Sequence, residues 1–188
     1  RHAAWVILGY PGAGKTTLLK RFALQEATTC KTDPNLGYLP VLVPLRLLGQ
    51  KLENHMHWPL EQALLDYLMQ YGFSEMSFTA EQERLELRAQ FETWLSNGRV
   101  LWLLDGLDEQ RDQHVQKRTV QAIEALRQHY PGNRFVVTSR IVGYDAAPLG
   151  GGFNTATLEP FNDEQMSQFF RHWCYAVEKS EDIVDDEH

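Results

Sequence analysis

Eight residues near the start of the chain, Gly9-Tyr10-Pro11-Gly12-Ala13-Gly14-Lys15-Thr16, have the types and spacing that hold a polyphosphate. The pattern G-x-x-x-x-G-K-T is a phosphate-binding loop when a strand leads into it and a helix follows. The apolar run Ala3-Ala4-Trp5-Val6-Ile7-Leu8 supplies the strand, and Thr17-Leu18-Leu19-Lys20-Arg21-Phe22-Ala23 continues the helix. Glycines let the backbone curl so that successive N–H groups point inward at an anion. The helix start adds unpaired N–H groups and the positive end of its dipole. Lys15 brings a mobile cation to the β- and γ-phosphates, and the Thr16 hydroxyl is placed to ligate Mg²⁺. The expected nucleotide contacts are therefore Gly9, Tyr10, Pro11, Gly12, Ala13, Gly14, Lys15, Thr16 and Thr17.

A second group of residues could do the chemistry on that nucleotide. Leu103-Leu104-Asp105-Gly106-Leu107-Asp108-Glu109 ends an apolar run in three acids. In open α/β sheets ligands bind at the carboxyl ends of the strands, which is where Asp105 falls, so it can hold Mg²⁺ opposite the phosphate loop. Gly106 leaves room for a close backbone approach. Asp108 and Glu109 follow within one turn, and either could orient or deprotonate an attacking water. Acids at the start of a helix are also stabilised by its dipole, so one of the two can be a cap. Phe135-Val136-Val137-Thr138-Ser139-Arg140 ends another apolar strand in a polar triplet. From there the planar fork of Arg140 can reach a γ-phosphate.

These residues need a scaffold of alternating strands and helices, the pattern of a parallel sheet covered on both faces. Tyr38 to Arg46 reads as a strand whose Pro40 and Pro44 suit an edge. Pro59 to Tyr71 places Leu60, Ala63, Leu64, Tyr67, Leu68 and Tyr71 on one helical face. A further helix opens at the capping box Thr79-Ala80-Glu81-Gln82, carries Leu87, Phe91, Trp94 and Leu95, and stops at Asn97-Gly98. Arg99 to Asp105 is apolar enough for a central strand. A helix from Thr119 to Tyr130 ends at Pro131-Gly132, and strands follow at Phe135–Thr138 and Phe153–Leu158. Asn162-Asp163-Glu164-Gln165 starts a last helix, whose face of Met166, Phe169, Phe170, Trp173 and Val177 should pack onto the sheet domain.

At 188 residues, with 43% hydrophobic residues and five Trp, the chain can bury a full core as one domain. Its formal net charge of −7 and lack of a long basic run argue against a general nucleic-acid surface. No signal peptide or membrane-length apolar stretch is visible. Cys30 and Cys174 are too few and too isolated for a disulfide framework, and they fit a reducing, cytoplasmic compartment. His55-Met56-His57 lacks further ligands for a metal and reads as a solvated loop. Residues 179–188 form an acidic tail expected to be disordered. The first residue is Arg1 rather than Met, almost directly on a strand, so further domains are expected on either side.

Taken together, Gly9 to Thr16, Leu103 to Glu109 and Thr138-Ser139-Arg140 resemble a NACHT domain, a branch of the STAND signal-transduction ATPases. Asp105-Gly106-Leu107-Asp108-Glu109 looks like the family's version of Walker B, and Arg140 matches its sensor 1 arginine. Asn97-Gly98-Arg99 and Leu158-Glu159-Pro160-Phe161 also fit the family's phrasing. The resemblance covers about Trp5 to Trp173. It implies a three-layer P-loop NTPase with a central parallel sheet of order 5-1-4-3-2 over residues 1–160. Residues 161–178 would then be the first helix of the family's small helical domain. It also implies ATP or ADP as ligand, slow hydrolysis with Mg²⁺, and a nucleotide switch governing self-oligomerisation in innate immunity or antiviral defence. The winged-helix domain whose histidine contacts the β-phosphate in family members, and the effector and sensor domains, are not found in this sequence.

Other functions make different demands on the same residues. A GTPase needs an Asn-Lys-x-Asp or Thr-Lys-x-Asp motif late in the chain, and Cys30-Lys31-Thr32-Asp33 has neither the right first residue nor the right place. A small-molecule kinase fits the three acids and the Thr-Ser-Arg ending less well. A turnover-driven AAA+ motor usually has Asp and Glu adjacent at the strand end, where Gly106 intervenes here. A scaffold that binds nucleotide without hydrolysis is the remaining alternative.

Overall fold

In a computed structural model, residues 4–33, 35–54, 60–68, 81–150 and 152–185 are described. Five strands, β1 (Ala4–Leu8), β2 (Leu39–Pro44), β3 (Val100–Asp105), β4 (Arg134–Ser139) and β5 (Asn154–Thr157), form one sheet in the order β2-β3-β4-β1-β5. Every pairing is parallel. This is the expected order read from the opposite edge, with β2 and its prolines outermost.

β3 is buried from Val100 to Leu104, as a strand covered on both faces must be. Alternate side chains point to opposite faces. Leu101 and Leu103 meet Leu19 and Phe22 of α1 (Lys15–Thr32) on one side. On the other side Val100, Trp102 and Leu104 join a larger core. To it α2 (Leu45–Asn54), α3 (Leu60–Tyr67), α4 (Glu81–Ser96) and α5 (Gln113–His129) contribute Leu48, Leu64, Phe91 and Ile123. Trp102 stacks on Phe135 at 6.4 Å between ring centroids and meets Phe91 edge-on at 6.1 Å. Each fully buried side chain of this size contributes about 1.5–3 kcal/mol.

The end of the sheet opposite the phosphate loop is pinned by Asn133. Its Oδ1 accepts from Val100 N at 2.8 Å, and its Nδ2 donates to Leu95 O and Tyr130 O at 2.9 and 2.8 Å. Gly98 and Gly132, both at positive φ, approach so closely that a Cβ on Gly98 would lie 2.9 Å from Gly132 Cα. The stops read at Asn97-Gly98 and Pro131-Gly132 therefore fit together as one corner.

Several boundaries differ from expectation. The second strand ends at Pro44, and Leu45 opens α2, a helix not foreseen because Leu45, Leu47 and Leu48 continue the strand's apolar run with only Arg46 between them. α5 starts at Gln113 rather than Thr119. Asp112 caps it, with Oδ1 accepting from His114 N and Val115 N at 2.8 and 3.0 Å. A short α6 (Ile141–Tyr144) follows Arg140 and was also unforeseen. The Thr79-Ala80 cap, His55-Met56-His57, the Pro59 and Tyr71 ends of that helix, and Asp186 to His188 lie outside the described residues.

The described chain falls into two compact units, one reaching Leu158 and a second beginning at Glu159. In the second, α7 (Asp163–Asp185) opens with a reciprocal capping box. Asn162 Oδ1 accepts from Gln165 N at 2.8 Å, and Gln165 Oε1 accepts from Asn162 N at 3.0 Å. The helix continues through Ser180 to Asp185, where a disordered tail was expected. Within this unit Phe169 is ring-paired to Phe161 and Phe170. No helix among the described residues is long and apolar enough to cross a membrane.

Candidate functional site

The register between β1 and β4 sets Leu8 beside Ser139, and that between β3 and β4 sets Leu104 beside Val137. Three carboxyl ends therefore meet: β1 running into Gly9, β3 ending at Asp105, and β4 running into Arg140. A cavity of about 330 Å³ lies there, lined by Pro11 to Thr17, Asp105, Gly106, Asp108, Glu109, Thr138 and Arg140. Of the residues expected at the site, Gly9 and Tyr10 stand outside this lining. They act through their carbonyls, which accept from Lys15 Nζ at 2.8 and 2.9 Å.

The loop conformation follows from its glycines. Gly12 and Gly14 have φ of 77° and 86°, the left-handed region that side chains disfavour. Gly14 is the N-cap of α1 and offers no side-chain cap, so the first N–H groups of the helix are left without one beside the cavity that Gly14 to Thr17 help to line, an arrangement that favours an anion.

Asp105 is held from two sides. Its Oδ2 accepts from the Thr16 hydroxyl at 2.8 Å and its Oδ1 from the Thr138 hydroxyl at 2.6 Å. Thr138 Oγ1 in turn accepts from Gly106 N at 2.9 Å. Two hard oxygens 2.8 Å apart suit neighbouring ligands of a small ion such as Mg²⁺, whose ligands sit at about 2.0–2.1 Å. Thr138 is fully buried. The sequence places it in the polar triplet but does not reveal that it orients Asp105.

The two adjacent acids have separate surroundings. Glu109 is exposed, and its carboxylate makes no hydrogen bond or ion pair among the described residues. Its carboxylate lies against Gly106, where a Cβ would sit 2.9 Å from Glu109 Cδ. Gly106, at φ 77°, thus makes room for Glu109 as well as allowing the turn. Glu109 also borders a second cavity of about 290 Å³ with Arg46, Glu53, Gln110 and Arg111. Asp108 is turned the other way, with its side chain 7% exposed. Its Oδ1 accepts from Arg140 N at 2.9 Å and Ser139 Oγ at 3.3 Å, and its Oδ2 pairs with Arg140 Nε at 3.2 Å.

Comparison with known proteins agrees with this geometry. The family model described as NACHT domain matches residues 4–176 of the chain. No curated protein matches it.

Proposed function

The chain belongs to the NACHT domain family, and we propose that it works there as an ATP-dependent switch. As a NACHT domain it is a nucleotide-binding P-loop NTPase. The finer reading is that Mg²⁺-ATP and ADP are its ligands and that hydrolysis is slow. The bound nucleotide governs self-association of the protein in defence signalling. Free thiols at Cys30 and Cys174 fit a reducing compartment, and we assign the protein to the cytoplasm on that ground.

One observation carries the proposal: the phosphate loop, the Thr16–Asp105 oxygen pair, Glu109 and Arg140 border a single cavity. In this reading the N–H groups of the loop and Lys15 hold the phosphates. Thr16 and Asp105 hold Mg²⁺, which neutralises charge on the phosphate oxygens when bound. Glu109, whose carboxylate is uncommitted, takes a proton from the attacking water. Arg140 meets the γ-phosphate and so distinguishes ATP from ADP.

Two measurements test it. Mass spectrometry of the nucleotide that co-purifies with the protein should find an adenine nucleotide. Hydrolysis followed over single and multiple turnovers should show bound ATP cleaved, with slow repetition. A guanine nucleotide would overturn the base assignment. Fast sustained turnover would favour a motor, and no cleavage at all a scaffold.

A further inference from the structure

We propose that Asp108 is a positioning residue for Arg140, and that Gly143 is the backstop that keeps Asp108 in place. The inference rests on the reading of Arg140 as the γ-phosphate contact and adds what makes that contact specific.

The Asp108 carboxylate is nearly buried and grips Arg140 at two points: the backbone N–H through Oδ1 and the side-chain Nε through Oδ2. A guanidinium held by Nε alone keeps both terminal nitrogens for other partners, and its plane is fixed by the grip. The Arg140 guanidinium has no other partner among the described residues, is half exposed, and borders the phosphate cavity. Unpaired, such a side chain spreads over many rotamers, and the entropy of ordering it opposes any contact with a phosphate. Asp108 removes part of that cost before the nucleotide arrives.

Asp108 can lie there because the chain returns past it at Gly143. A Cβ at Gly143 would overlap the Asp108 side chain, so even alanine would displace the carboxylate. The Gly143 carbonyl is itself fixed by Nε2 of Gln116, a buried residue of α5, at 2.9 Å. The geometry thus joins α5, through Gln116, Gly143 and Asp108, to the tip of Arg140. This assignment also separates the two acids: Asp108 acts through the arginine, whereas Glu109 faces the water.

The test is a set of binding measurements with Mg²⁺, using a non-hydrolysable ATP analogue and ADP. The proteins compared are the wild type, Asp108→Asn, Gly143→Ala, Arg140→Ala and the Asp108→Asn/Arg140→Ala double variant. Asp108→Asn should weaken the ATP analogue on the order of five- to tenfold while ADP affinity stays within about twofold. Gly143→Ala should shift the same preference in the same direction, and it supplies the answer if Asp108→Asn fails to fold. Unchanged ADP binding shows that each variant keeps its fold. In the Arg140→Ala background, Asp108→Asn should have no further effect. Equal weakening of both nucleotides, or an undiminished effect without Arg140, would overturn the inference while leaving the arginine reading intact. Tighter binding of the ATP analogue by Asp108→Asn would also overturn it, because the pair would then restrain Arg140 rather than aim it. If Arg140→Ala itself leaves the ATP analogue unaffected, the arginine reading fails and the inference falls with it.

Discussion

The Thr16 hydroxyl donates to Oδ2 of Asp105 at 2.8 Å across 89 positions of sequence. That bond ties the first turn of α1 to the end of β3. It sets side by side the two oxygens best suited to a divalent ion. Asp105→Asn keeps the shape but removes the charge directed at the ion. The Mg²⁺-dependent gain in ATP affinity should fall roughly tenfold or more, while metal-free binding changes little. Titrations with and without chelator check this.

Glu109→Gln should leave nucleotide affinity near that of the wild type and slow single-turnover hydrolysis by about 10²–10⁴-fold, since an amide cannot accept the proton. Quenched-flow analysis of bound ATP measures the step. If Asp108→Asn abolishes cleavage and Glu109→Gln does not, the roles of the two acids are reversed.

Thr138→Val is nearly isosteric, yet it removes the donor to Asp105 Oδ1 and the acceptor for the buried Gly106 N–H. A buried polar group left unpaired costs about 1–3 kcal/mol. Urea denaturation should show a loss of that size, and the Mg²⁺ dependence of binding should weaken with it. Unaltered values for both would mean that Thr138 is a bystander.

Asn133 offers the opposite case. It makes three hydrogen bonds at the far end of the sheet, so Asn133→Ala should cost about 2–4 kcal/mol of stability. The nucleotide affinity of the protein that remains folded should not change. Differential binding beyond twofold would show that the far corner is coupled to the site.

Much of this architecture is legible in the residues themselves. Gly12 to Thr16 announce their loop because few other sequences allow its φ values while placing a lysine and a hydroxyl together. β3 announces itself because burial on both faces demands an unbroken apolar run. α2 is hidden since Leu45, Leu47 and Leu48 follow Val43-Pro44 with only Arg46 between them, and a short, mostly apolar stretch does not fix its own period. α5 begins early because Asp112 caps it, although its first turn, Gln113 to Gln116, is mostly polar. The division of labour between Asp108 and Glu109 is invisible in sequence. It depends on where Arg140 and Gly143, more than thirty positions away, return beside the turn at Leu107–Glu109. Thr138 is missed for the same reason, since its partner Asp105 lies on the neighbouring strand.

The measurement closest to the central claim is calorimetric titration of Mg²⁺-ATP into the wild-type protein and Lys15→Ala. Lys15 Nζ is held against the loop by the carbonyls of Gly9 and Tyr10, at the cavity formed by the phosphate loop. Charge-assisted contacts from such an ammonium contribute about 1.5–3 kcal/mol each. The account predicts saturable one-to-one binding by the wild type and a loss of roughly tenfold or more in Lys15→Ala, with the thermal unfolding of the nucleotide-free proteins unchanged. Equal affinities for the two proteins, or no binding by a folded wild type, would contradict it.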